Sequence, residues 1–305
     1  MMEHPPARPL RVAAGLVLAA VAMLPAACGG STPPATATST TAQQGHLDQT
    51  LHNLLPPLVR SRGVLLVGTD ASYAPMESFG PDGRTIIGVE PDLGVEIGRI
   101  LGVRLQFVQT TFDKLRTDVT GGSLDLAISA MTDTPARAKT VDFVDYFSAG
   151  TSILVQRGNP TGITDLTDLC GKAVVVENGT TQVDLLARTQ KNCGNRPIIV
   201  KSYPTNSDAL VQLRTGRVAA ALSDFPPAAF LVDDPRTRSN YQLVSTVQYE
   251  PGLYGIVVAK SQPGLREAVQ GACEELLRRG VYNDVLARWG VRDGAIPRIS
   301  INADR

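Results

Sequence analysis

The chain has 305 residues, room for two ordinary lobes and short for three domains. Its 29 basic and 29 acidic residues cancel, which speaks against a nucleic-acid binder, since nothing here neutralises a run of phosphates. The sequence holds three His, none after His52, and no Cys-x-x-Cys spacing, so neither a metal centre, nor a cofactor ligated by such groups, nor a Ser/His/Asp catalytic constellation is expected.

In chain order, Arg8 and Arg11 precede an apolar run, 12–24, that falls short of the ~20 helical residues needed to cross a bilayer. With Pro25-Ala26-Ala27-Cys28 behind it, the segment 1–28 reads as a secretory signal, and its end resembles a lipobox in which Cys28 receives lipid. Pro25 departs from that pattern, standing where Leu is usual, with Leu24 one place back. From 29 to about 44, Ser, Thr, Pro, Ala and Gly without periodicity describe a tether that buries no core, and a short helix at 46–55 completes a segment 29–61. A strand at 64–67 opens the folded part. A helix at 92–101 follows, with Leu93, Val95, Ile97, Ile100 and Leu101 on its apolar side, then a strand at 104–108, a helix at 111–120 and a strand at 124–128. A second set comprises strands at 153–156 and 173–176, a helix at 181–190, a strand at 198–201, a helix at 207–215 and a strand at 219–222. A strand at 255–259 and helices at 264–279 and 282–288 return to the character of the first set. This alternation predicts an α/β architecture with largely parallel sheets and a ligand site beyond the C-terminal ends of strands. Cys170 and Cys193 flank one strand–helix unit in a region expected to fold outside the cell, and are expected to pair. Cys273 sits at helical spacing with Val269, Leu276 and Leu277 and reads as a buried thiol.

The segments Gly63-Val64-Leu65-Leu66-Val67-Gly68-Thr69-Asp70, Gly88-Val89-Glu90-Pro91-Asp92-Leu93, Gly121-Gly122-Ser123-Leu124-Asp125-Leu126-Ala127, Met131-Thr132-Asp133-Thr134-Pro135-Ala136-Arg137 and Asn178-Gly179-Thr180-Thr181-Gln182 occur in this order and spacing. In them the chain resembles the family-3 extracellular solute-binding proteins, receptors for polar amino acids that serve ABC importers. The resemblance runs from Arg62 to Trp289. It implies a two-lobed, periplasmic-binding-protein-like α/β fold of type II joined by two crossing segments, with one lobe from 62–152 plus 251–305 and the other from 153–250. It also implies a monomer that closes on a free amino acid by hinge motion. The partners implied are an ABC permease with its ATPase, and the membrane through the lipid anchor.

A free amino acid brings a carboxylate and an ammonium, and a pocket that buries both must pair both. Arg137 matches the family's carboxylate-binding arginine, the residue type with a planar two-pronged donor. Asp224, after the strand at 219–222, matches the acid that takes the ammonium; its place before Phe225-Pro226-Pro227 also suits a turn or helix cap. Ser129, Ala130 and Thr132, with Thr181 and Gln182 at a helix start, are expected as further binding positions. Tyr73 and Phe112 match the aromatic pair around the ligand side chain. Asp70 matches the acid facing its distal end, and Glu177 adds a second acid there, so the ligand is expected to be basic or to carry an amide. Met76 stands where the family usually has Phe. The chain is expected not to be an enzyme. The alternative is a cyclohexadienyl dehydratase-like enzyme on the same fold, with Glu177 or Glu77 as proton donor.

Overall fold

The computed structural model of the chain describes residues 47–304. The expected signal, its Cys28 and the tether up to residue 46 lie outside the described residues. Helix α1 (Gln49–Leu54) starts at Asp48, whose carboxylate accepts from the N–H groups of Thr50 and Leu51 at 2.8 and 3.0 Å. This is the helix expected at 46–55; Pro56-Pro57 then opens a further helix, α2 (Pro57–Arg62), that was not expected, because Pro is tolerated in a first helical turn and not beyond it. Leu55 and Val59 are buried, so this stretch packs on the core.

Strand β1 (Val64–Thr69) leads into a small antiparallel sheet of β2 (Ser72–Tyr73), β3 (Glu77–Phe79) and β4 (Ile86–Ile87). These strands are too short to leave an alternation in the sequence. Helix α3 (Val89–Leu101) starts three residues earlier than expected; it buries Val89, Leu93, Ile97 and Ile100 and ends at Gly102, which takes the left-handed φ of 65°. Next come β5 (Arg104–Gln109), a 3-10 turn at Phe112–Lys114, α4 (Leu115–Thr120) and β6 (Leu126–Ala127). The single helix expected at 111–120 is thus divided.

The expected strand at 153–156 is only the tail of β7 (Val141–Gln156), a 16-residue strand. Asp142 and Asp145 interrupt its apolar pattern, yet both are buried. The second set follows as β8 (Ala173–Glu177), α5 (Thr181–Thr189), β9 (Ile199–Tyr203), α6 (Asn206–Arg214), β10 (Ala220–Asp224), α7 (Phe225–Asp233) and β11 (Tyr241–Leu243). Helix α7 has no counterpart among the expected elements, because Pro226-Pro227 occupies its first turn and reads as a break. The chain closes with β12 (Tyr249–Ala259), α8 (Pro263–Arg278), α9 (Val281–Arg288) and β13 (Ser300–Ile301).

The main sheet runs β5-β1-β6-β12-β7-β10-β8-β9. Its flanks are parallel: β1 with β5 and β6, and β8 with β9 and β10. Its middle is antiparallel, where β7 pairs β12 along Val141–Thr151 and then β10 along Thr151–Leu154. The two long strands thereby join one parallel flank to the other. Each flank is covered on both faces, as buried parallel sheets require. Leu65 and Val67 join one hydrophobic cluster while Leu66 packs on another, and Val174 and Val176 divide from Val175 in the same way. Cys170 and Cys193 form a disulfide, with Cα atoms 5.3 Å apart, and Cys273 is buried in α8.

Candidate functional site

Five strands, β1, β5 and β6 of one parallel flank and β8 and β10 of the other, end around one cavity. Asp70 follows β1, the segment after β5 supplies Phe112, and Ser129, Ala130 and Thr132 follow β6; Glu177 ends β8 and Asp224 ends β10. Tyr73 of β2, the 3-10 turn residue Arg137, and Thr181 and Gln182 at the start of α5 complete the expected set, and every one of these residues lines the cavity. Glu77 and Thr180 line it too. Met76 does not; it is fully buried in the hydrophobic cluster beneath.

Arg137 is buried, its guanidinium stacked 5.5 Å from the centre of the Phe112 ring. Nη1 donates to the Thr132 carbonyl at 2.7 Å and Nη2 to the Gly179 carbonyl at 2.8 Å. Burial and the nearby Arg116 charge lower it to about 10, against the pull of Asp224. Asp224 occupies the N-cap of α7, but its side chain does not cap the helix. It turns into the cavity instead: Oδ1 accepts from Gln182 Nε2 at 2.6 Å and Oδ2 from the Tyr254 hydroxyl at 2.6 Å. Burial raises it to about 6 despite these donors. Its backbone N–H donates to the Tyr73 hydroxyl at 2.8 Å, and Ser223 Oγ donates to the same oxygen at 3.2 Å.

The loop after β6 is held from behind by carboxyls. Ser129 Oγ donates to Glu77 Oε1 at 2.8 Å and accepts from the Asp70 N–H at 3.0 Å. Ala130 sits at φ 43°, and its N–H donates to Glu90 Oε1 at 2.7 Å; the Tyr146 hydroxyl donates to the same oxygen. Burial raises Glu77 well above its ordinary value, with the Glu90 charge adding to it, and burial raises Glu90 as well. Sequence reasoning had Glu77 only as a proton donor for an enzyme and missed Glu90 and Tyr254 altogether. An acid at a helix start and a Tyr in a long strand carry no sign of being buried together.

At the far end, Asp70 Oδ2 accepts from the Phe112 N–H at 3.2 Å, while Asp70 Oδ1 and Glu177 Oε1 are buried with no hydrogen-bond partner. Burial raises both groups, Glu177 well above its ordinary value with the Asp70 and Asp224 charges adding to it. Thr180 stands at the N-cap of α5, yet its hydroxyl donates to the Glu177 carbonyl at 2.8 Å rather than capping the helix. The cavity therefore offers a guanidinium, an opposed carboxylate and a distal acidic end, all with little access to water.

Residues 65–292 match the bacterial extracellular solute-binding proteins, family 3. The chain belongs to this family. The arginine-binding protein ArgT of Corynebacterium glutamicum is similar to this solute-binding protein, 28% identical over 253 residues, with 82% of this chain and 81% of that one covered. An ancestral arginine-binding protein bound to arginine has a TM-score of 0.69 at 33% identity, covering 75% of this chain and 98% of that one. The ancestral amino acid-binding protein AncCDT-1, a precursor of cyclohexadienyl dehydratase, has a TM-score of 0.68 at 28% identity, covering 79% and 99%. These neighbours identify the fold of the solute-binding protein as the two-lobed, type II periplasmic-binding-protein-like α/β fold, with β7 and β12 as its crossing segments.

Proposed function

We propose that this protein is the extracytoplasmic receptor of an amino-acid ABC importer and captures one free polar amino acid by closing its lobes. The observation that carries this reading is the pairing of Arg137 and Asp224 across one buried cavity. The guanidinium is held by two carbonyls and stacked on Phe112, which presents it to an incoming carboxylate, while the Asp224 carboxylate meets the ammonium. Thr132, Thr181 and Gln182 add donors around the α-carboxylate and α-amino groups, Ser129 and Ala130 shape the loop beneath, and Tyr73 and Phe112 flank the side chain. ArgT and the ancestral arginine-binding protein bind arginine, which accords with a basic or amide side chain reaching Asp70 and Glu177. The loaded receptor delivers to a permease and its ATPase as a monomer, tethered through lipid on Cys28. Isothermal titration with the twenty amino acids should give heat with one or a few polar ones. A chain that binds none, or one whose binding survives Arg137→Ala, overturns the reading.

A second reading, a dehydratase related to cyclohexadienyl dehydratase, draws on the likeness to the AncCDT-1 precursor and on the buried, raised Glu177 as a proton donor. The opposed Arg137 and Asp224 favour an α-amino acid over a keto-acid. Conversion of prephenate or arogenate by the purified protein decides for the enzyme.

A further inference from the structure

Among the described residues lining the cavity, the carboxyls are Asp70, Glu77, Glu177 and Asp224, and the cation is Arg137. An amino-acid backbone is neutral as a whole, so it leaves this imbalance untouched. Two of the carboxyls are already engaged: Glu77 by Ser129 and the neighbouring Glu90, and Asp224 by Tyr254 and Gln182. Asp70 and Glu177 remain. They come from the ends of β1 and β8, they are 2% and 7% exposed, and each keeps one buried oxygen without a hydrogen-bond partner. Both line the one cavity, and the charge of Asp70 bears on Glu177. Two buried carboxyls in one cavity cannot both ionise without a cation beside them, so one of them keeps a proton.

Resting on the reading of this cavity as an amino-acid site, we propose that the ligand's side chain ends in a cation, and that this cation replaces a proton held by the pair Asp70 and Glu177. The O–H bond of the acid breaks, the proton leaves to solvent, and the site exchanges one positive charge for another. A neutral amide end makes no such exchange, because it leaves either that proton in place or two buried carboxylates unbalanced. The charged and titratable groups that face the pair act in the same direction. The Asp224 charge raises Glu177 and the Asp70 charge raises Glu77, burial holds the Tyr73 hydroxyl well above its ordinary value, and Arg137 is turned to the Thr132 and Gly179 carbonyls. Burial already holds Glu177 well above the ordinary carboxyl range in the free protein. The bound cation lowers it. Affinity for a cationic ligand is therefore highest above the free-state value and falls as the pH drops through it, by at most about tenfold per pH unit for one proton.

Titration calorimetry of the full chain with arginine, lysine, glutamine and citrulline, the neutral isostere of arginine, tests both halves. Runs at about pH 5.5 and about pH 8, each in two buffers of different ionisation heat, count the protons released. We expect arginine or lysine to bind at least about tenfold tighter than citrulline, with proton release towards acid pH. Glu177→Gln should remove the buffer dependence and bring citrulline within a few-fold of arginine; Asp70→Asn serves if that variant does not fold. Equal binding of citrulline or glutamine by the native chain overturns the inference and leaves the amino-acid receptor standing. So does cation preference without proton release. Absence of binding by every amino acid overturns the receptor reading itself.

Discussion

Arg137 and Asp224 hold opposite charges in a buried space, and each is kept ionisable by donors or acceptors that do not neutralise it. Removing the guanidinium leaves a bound α-carboxylate buried and unpaired, a loss of about 3–5 kcal/mol. Arg137→Ala should accordingly weaken binding by about a hundredfold to several thousandfold, read by calorimetry. Asp224 is displaced from the ordinary 3.8 to about 6, so the fold favours its protonated form. The resulting penalty is absent below the unfolded value, grows between 3.8 and about 6, and is constant above. Asp224→Asn should then stabilise the unliganded protein near neutral pH by up to about 3 kcal/mol, show no gain at pH below 4, and lose ligand. Urea unfolding at the two pH values checks this; an equal effect at both would contradict it. Both residues were legible in the sequence through the segments around them. Glu90 and Tyr254 were not, because the need for a buried partner appears only when distant segments meet.

At the scale of elements, the turn before α3 decides whether the carboxyl support behind the binding loop is in place. Gly88 takes φ 145°, and a Cβ there would sit 2.2 Å from the Met76 carbonyl oxygen. Gly88→Ala should cost about 3 kcal/mol or more, seen as a lower urea midpoint with an unchanged slope. The disulfide ties the segment before β8 to the one after α5, and the Cys170→Ser, Cys193→Ser pair should lose about 2–4 kcal/mol in thermal unfolding. A melting point unaffected by reductant would count against that assignment. Helical spacing and strand alternation located α3, α5, α6, α8 and the parallel strands. They failed where local pattern and burial part company, as at the buried aspartates of β7 and the prolines that begin α7.

For the whole molecule, the lobes we assign to 62–152 with 251–305 and to 153–250 meet through direct bonds as well as through the cavity. Asn206 donates to Ser72 from its backbone N–H at 3.1 Å and from its Nδ2 at 3.2 Å, and the Tyr73 hydroxyl accepts from Asp224 and Ser223. These bonds add to closure, and the ligand supplies the remaining preference for the closed form. Small-angle scattering should show a smaller radius of gyration on saturation with ligand. In Tyr73→Phe, which loses the hydroxyl shared by the two sides, the free protein should be more open and the ligand bound more weakly. Identical scattering with and without ligand would contradict hinge closure.

The sequence by itself determined most of the alternating strands and helices, the family and the residue types that line the cavity, because periodicity and local motifs are properties of neighbouring residues. It also placed Asp70 and Glu177 at strand ends. Only the tertiary structure decided that these two carboxyls meet, that Asp224 turns from its helix cap into the cavity, and that Glu77 and Glu90 support the binding loop. Charge balance and loss of water are set by groups far apart in the chain, and they come into force only when folding brings those groups together.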